Sequence, residues 1–222
     1  MNRIRTSGLY DASRWGVTLI GLGGIGSNLA IQLGKMGFNP ITIIDGDKVA
    51  EENVGTQLYR QSDIYDWKTA SIFDRLSEYA PDIEVLTRTT LVDEDTPWFE
   101  LQAPIIISAV DSISARKDIW RALANHDLHA DDGWSLYLDV RMGLETAQVW
   151  AVTGELHDNY EAALMAQDDS LIPDLPCTSK ATFYGGALAA SCAAYVLRRF
   201  ITGQPLDLIY SFALSDWAAV RI

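Results

Sequence analysis

The chain has 222 residues, 48% of them hydrophobic and 21% charged, a balance that suits one sizeable α/β domain with a full core and excludes a disordered polymer. Thirty acidic residues against 17 basic ones give a formal net charge of −13, a field that repels nucleic acid and anionic membrane surfaces and so argues against either as a partner. Two cysteines, Cys177 and Cys192, exclude a disulfide framework and a four-sulfur zinc site, so no structural zinc is expected and a reducing cytoplasm is the natural compartment.

Met1 to Tyr10 carries no apolar core of signal-peptide length, and no apolar run is long enough to span a membrane. Residues 1 to 14 are polar, with Arg3, Arg5 and Arg14, and read as a short helix or an arm that lies on a neighbour. The centre of the chain follows. A short apolar run, Val17 to Ile20, leads into Gly21-x-Gly23-x-x-Gly26, with Gly24 doubling the middle glycine. Leu29, Leu33 and Met36 then recur at helical spacing, and a second apolar run, Ile41 to Ile44, ends in Asp45. Strand, glycine turn, helix, strand and acid in that order make a nucleotide site. Gly21 permits the turn, Gly23 lets backbone approach phosphate, Gly26 lets helix and strand pack closely, and Asp45 accepts from ribose hydroxyls.

Lys48 to Asp66 reads as a long loop with short helical turns, and loops of that length in a compact domain are usually functional. Ile72, Phe73, Leu76 and Tyr79 predict a helix over 67–79, ended by Pro81. Ile83 to Leu86 alternates like a strand, and 96–101 reads as a short helix with Thr96 as its cap. The apolar run Pro104 to Asp111 reads as a buried parallel strand whose C-terminal end delivers Asp111, followed by a helix over 112–126. Strands are predicted over 136–140, containing Asp139, and over 146–152 in an antiparallel sense. The acidic, proline-containing stretch 153–180 breaks the rhythm and is read as a crossover with one helix around 160–166. A small-residue helix over 182–201 and a last strand over 208–214 complete the pattern. The expected architecture is one α/β domain over 1–222, a Rossmann-like doubly wound, mostly parallel sheet with additional antiparallel strands in its C-terminal part. Asp45, Asp111 and Asp139 are expected to converge on one crevice beyond the strand ends.

Taken together, these residues resemble the ThiF/MoeB superfamily, the adenylating domain shared with ubiquitin-activating enzymes. The resemblance rests on the glycine turn from Gly21 to Asn28, on Asp45-Gly-Asp47 followed by Asn53 and Gln57, on Lys68 opening a helix, and on Asp111 with Arg116 five residues later. It implies an ATP- and magnesium-dependent adenylyltransferase that activates a carboxylate, typically the C-terminal glycine of a small ubiquitin-like or sulfur-carrier protein, and that works as a homodimer. It further implies that Asp45 holds the ribose, that Asn53, Gln57 and Lys68 contact phosphates, and that Asp111 holds magnesium. Asp47, Arg116 and Gly21, Gly23, Gly24 and Gly26 complete the nucleotide site.

Two features depart from the family pattern. Thr56 stands where the family has an arginine, with Arg60 as a substitute four residues on and Arg5 or Arg14 as candidates for an arginine supplied by a partner subunit. The paired Cys-x-x-Cys zinc ligands are absent from the sequence. Pro176-Cys177-Thr178 resembles the catalytic-cysteine segment of ubiquitin-activating enzymes, so Cys177 is either an acyl-accepting thiol or a turn residue, while Cys192 reads as packing. His126, His129 and His157 read as surface residues. Asp111 has a second reading as a helix cap and Lys68 as a solvated helix residue. Two other functions stay open: a catalytically reduced binding module that partners an active subunit, favoured by Thr56, and an NAD-dependent oxidoreductase, which the glycine turn and Asp45 alone would allow.

Overall fold

All four residues of strand β1 (Val17–Ile20) are buried, as a parallel strand covered on both faces requires. The computed structural model describes residues 8–124, 133–143, 146–168, 182–213 and 218–221. It pairs β1 in parallel with β2 (Ile41–Ile44) on one side and β4 (Ile105–Ser108) on the other. Strand β3 (Val85–Arg88) extends the parallel sheet beyond β2, and β5 (Leu136–Met142) extends it beyond β4. Strands β6 (Thr146–Val152), β7 (Ile209–Ala213) and β8 (Ala218–Arg221) continue antiparallel, giving the order β3-β2-β1-β4-β5-β6-β7-β8 among the described residues. Since β1 sends the chain to opposite sides at β2 and β4, a crevice is expected beyond the carboxyl ends of these strands.

Alternation of side chains along the strands sorts the helices into two layers. Leu19, Ile43, Ile107 and Leu138 face α1 (Gly24–Met36), α2 (Lys68–Tyr79) and α6 (Phe183–Ile201), where Leu33, Ile72, Leu76 and Ala193 complete one core. Ile20, Ile44, Ile106 and Tyr137 face α3 (Trp98–Leu101), α4 (Ile113–Ala124) and α5 (His157–Met165), with Leu101, Trp120 and Tyr160 in the second core. The small residues of α6 matter at one contact in particular. A Cβ on Gly186 would lie 2.4 Å from the Gly24 carbonyl oxygen, so only glycine lets the first turn of α6 sit on the first turn of α1. Among the described residues no helix is long and apolar enough to cross a membrane.

Several predicted boundaries move, each for a local reason. Thr96 does not cap α3, which starts after Pro97; its hydroxyl accepts from the Asp93 amide at 2.9 Å and closes a turn instead. The strand expected over 83–86 is β3, two residues later, because the Ile83 amide closes a turn back to the Ala80 carbonyl. The crossover helix begins at His157 rather than near Tyr160. The last predicted strand is β7, and β8 lies beyond it. His157 is no free surface residue, for its ring packs against Trp120 at 4.7 Å between centroids. Cys177, Arg3, Arg5, His126 and His129 lie outside the described residues.

Candidate active site

The glycine turn after β1 is bent into place by two hard constraints. Gly21 has φ +88°, and a Cβ on Gly26 would lie 1.8 Å from the Gly21 carbonyl oxygen. Gly23 is the N-cap of α1, supplies no capping side chain, and a Cβ built on it meets nothing within 4 Å. The N-terminus of α1 thus has no side-chain acceptor and has open space beside its cap, which suits the approach of a phosphate.

The turn is gripped from both sides. The Leu22 amide donates to Asp45 Oδ2 at 2.7 Å, and the Tyr59 hydroxyl donates to the Leu22 carbonyl at 2.7 Å. The Leu58 amide donates to Ser27 Oγ on α1 at 3.0 Å. Tyr59 and Leu58 thereby seat the loop after β2 on the glycine turn, and the Thr56 carbonyl lies 3.6 Å from where a Gly24 Cβ would stand. On this loop Asn53 Oδ1 accepts from the Ala50 amide, and its backbone carbonyl accepts from the amides of Thr56 and Gln57. Gln57 Oε1 is buried without a hydrogen-bond partner among the described residues. A buried amide oxygen in that condition awaits a donor.

Asp45 is 8% exposed and also accepts from the Asp47 amide at 2.8 Å. Burial pushes its carboxyl above the usual range, against the pull of Lys68 and of the two backbone amides. Lys68 opens α2 and is itself 7% exposed, so the reading of it as a solvated helix residue fails. Its ammonium lies 2.8 Å from Asp47 Oδ2 and 3.9 Å from Asp45 Oδ1, which assembles Asp45, Asp47 and Lys68 as one charged group. Beneath Tyr59, buried Arg75 pairs with Asp63 at 2.5 Å. Burial raises the Asp63 carboxyl, yet the Arg60 amide and Arg75 outweigh it and hold the group below its ordinary value. Burial, followed by nearby Asp45, pushes the Tyr59 hydroxyl far up, so it is a fixed donor.

Asp111 stands two residues beyond Ala109, which packs against Gly21. Asp111 is exposed and does not cap α4. Ser112 does, with its hydroxyl accepting from the Ala115 amide at 3.2 Å. The other half of the expected pair behaves differently. Arg116 is 4% exposed, and its guanidinium donates to the Asp139 carboxylate and to the Val110 carbonyl. Asp139 lies within β5, fully buried, and also accepts from Arg141 and from Tyr160. Asp139 therefore does not reach the expected three-acid crevice, because β5 runs on to Met142 and keeps it inside. Arg60 does not fill the place left by Thr56 either; its guanidinium pairs with Glu78 at 3.1 Å on α2. Arg14 is exposed and pairs with Asp11 at 3.6 Å. Buried Cys192 has its thiol pushed up to about 12 by burial and is inert packing.

Sequence reasoning missed Tyr59, Ser27 as a partner of the loop, and the Asp63–Arg75 pair. A lone tyrosine in a polar loop gives no periodic signal, and the pair spans 12 residues from a short turn to a helix.

The ThiF family model matches residues 1–207. Among curated proteins, the chain is 34% identical over 107 residues to the DNA damage tolerance protein RHC31 of Saccharomyces cerevisiae, covering 41% of this chain and 31% of that protein. It is 26% identical over 132 residues to a probable molybdopterin-synthase adenylyltransferase of Gracilaria tenuistipitata, covering 58% and 37% respectively. The chain thus spans about a third of the length of these relatives. Of the solved structures, E. coli MccB with succinimide superposes with a TM-score of 0.72 at 17% identity, over 95% of this chain and 64% of that one, a likeness of fold. With the family model running from residue 1 through the glycine turn, the Asp45–Lys68 group, Asp111 and β6 as far as residue 207, the chain belongs to the ThiF family.

Proposed function

We propose that the chain is an ATP-dependent adenylyltransferase that activates the C-terminal carboxylate of a small ubiquitin-like or sulfur-carrier protein. The observation that carries this reading is the meeting of two features at one glycine turn: a helix N-terminus without a side-chain cap and with open space at Gly23, and the Asp45–Asp47–Lys68 group, whose Asp45 holds the Leu22 amide. The names of its relatives support it, one being a molybdopterin-synthase adenylyltransferase and another the catalytic subunit of a NEDD8-activating enzyme.

In this reading Asp45 receives the ribose hydroxyls, and the α1 amides, the side-chain NH2 groups of Asn53 and Gln57, and Lys68 donate to the phosphates. The Lys68 ammonium rests on the exposed Asp47 carboxylate, and in this reading a phosphate oxygen replaces Asp47 as its partner. The substrate carboxylate attacks the α-phosphorus, the bond to the bridging oxygen breaks, and pyrophosphate leaves with that electron pair. Asp111 is the exposed carboxylate for magnesium, which in such sites takes one or two protein carboxylates and completes its shell with water and phosphate. When bound, the metal offsets the charge of two anions brought together. Cys177 is the candidate to accept the acyl group as a thioester with release of AMP. A homodimer in the cytoplasm belongs to the same proposal.

A second reading has one specific support. Thr56 lacks the expected cation, and Arg60 and Arg75 are both paired with carboxylates elsewhere, which suits a binding module that partners an active subunit. ATP–pyrophosphate exchange separates the two. Exchange driven by a small protein ending in diglycine, dependent on magnesium and lost in Lys68→Ala, supports the enzyme. Magnesium-dependent ATP binding without exchange, against a panel of such proteins, supports the module.

A further inference from the structure

A buried polar cluster lies behind the candidate site. Asp139 on β5 is fully buried and receives Arg116 from α4, Arg141 from β5 at 2.8 Å and the Tyr160 hydroxyl from α5 at 2.9 Å. Two guanidinium groups and a hydroxyl on one carboxylate exceed what charge balance requires, and a buried ion cluster is weak evidence of stability by itself. The fork of Arg116 supplies a further role. One of its nitrogens holds Asp139, and the other donates to the carbonyl of Val110, the residue before Asp111. Asp111 makes no hydrogen bond to another described residue and leaves helix capping to Ser112, so its placement comes from the backbone on which it stands. The same carboxylate reaches the far side of the cluster, where Arg141 Nη1 donates to Gln167 Oε1 at 2.6 Å, just after α5 ends.

We infer that Arg116 and Asp139 are positioning residues for Asp111: Asp139 orients the guanidinium, the guanidinium fixes the Val110 carbonyl, and the fixed backbone presents the Asp111 carboxylate to its metal. This rests on the reading of Asp111 given above. Neither residue needs to touch nucleotide, which recasts Arg116 from a binding residue into a support. Groups that orient a metal-holding side chain typically change metal affinity by roughly 10- to 100-fold when removed.

The test is Arg116→Lys, which keeps a cation beside Asp139 and cannot fork onto Val110. Two readouts are taken by hydrogen exchange of the free protein and by calorimetry of ATP binding across magnesium concentrations. The expected results are exchange of the flanking bonded amides of Ala109 and Ala115 that is roughly tenfold faster with β1 and β4 unchanged, and a half-saturating magnesium concentration raised about tenfold. In an Asp111→Asn background the same substitution shifts the magnesium response by less than about twofold, because its effect runs through Asp111. If Arg116→Lys damages the fold, Tyr160→Phe, which removes one hydrogen bond to Asp139, gives the same readouts with smaller shifts. A magnesium-responsive wild type with an indifferent Arg116→Lys overturns this inference alone, as does a shift that persists undiminished without Asp111. A wild type that binds ATP with no response to magnesium, or does not bind it, overturns the role of Asp111 and this inference with it.

Discussion

Lys68→Met isolates the charge logic of the site. The methionine keeps most of the aliphatic stem and volume and removes the ammonium that lies 3.9 Å from the buried Asp45 carboxylate. At an effective dielectric constant of ~20, a unit charge pair at that distance is worth roughly 4 kcal/mol. The ammonium no longer has to be desolvated in the variant, and the exposed Asp47 contact contributes little, so the net loss is about 2 kcal/mol at neutral pH. The pH dependence carries the argument. The folded-state pKa of Asp45 already lies above its ordinary 3.8 through burial, and losing Lys68 raises it further. A carboxyl with a raised folded value binds its proton more tightly in the folded state, so stability increases as pH falls through that value. The loss caused by Lys68→Met is therefore largest where Asp45 is ionised and shrinks on acidification. Urea unfolding of wild type and variant at about pH 8 and about pH 5 measures this. A loss that is equal at both values, or larger in acid, would refute the assignment of Lys68 as the charge partner of Asp45.

Two glycines of one motif should fail in different ways. Gly26→Ala places a Cβ 1.8 Å from the Gly21 carbonyl oxygen and is expected to lower stability by about 3 kcal/mol or more, read as a shifted urea midpoint. Gly23→Ala meets no atom within 4 Å, so it should unfold within about 0.5 kcal/mol of wild type while weakening ATP binding measurably in calorimetry. Tyr59→Phe removes the donor to the Leu22 carbonyl and should lower stability by about 1 kcal/mol in urea titrations and loosen ATP binding through the turn. Asp63→Ala leaves Arg75 buried without its carboxylate and should lower stability by about 2 kcal/mol near neutral pH. The folded pKa of Asp63 is lowered, so its contribution is present above the ordinary 3.8 and lost as pH falls through the folded value; thermal melts of wild type and variant should converge there.

The half of the molecule built from local signals was legible in the sequence. β1, the glycine turn, α1, β2 and Asp45 follow one another within 29 residues, and each announces itself through β-branched runs, glycine spacing or helical period. Lys68 was legible by its place in the family pattern, though its burial was not. Alternation alone put β3 two residues early, since it does not reveal where a helix-ending turn releases the chain. Asp139 was misread because its environment is made at long range: Arg116 lies 23 residues before it and Tyr160 21 residues after it, on two helices whose packing has no trace in either segment. Tyr59 was invisible for the same reason, with a partner 37 residues away in the glycine turn. β8 consists of a short Ala-Ala-Val-Arg run that carries no alternation of its own and is specified by pairing to β7.

The most direct measurement is calorimetric titration of the protein with ATP in the presence and absence of magnesium, with NAD as the competing ligand, repeated on Asp111→Ala. The account predicts ATP binding that requires magnesium, is lost or strongly weakened in the variant, and is not matched by NAD. Binding of NAD in preference to ATP, or ATP binding indifferent to both magnesium and Asp111, would contradict it.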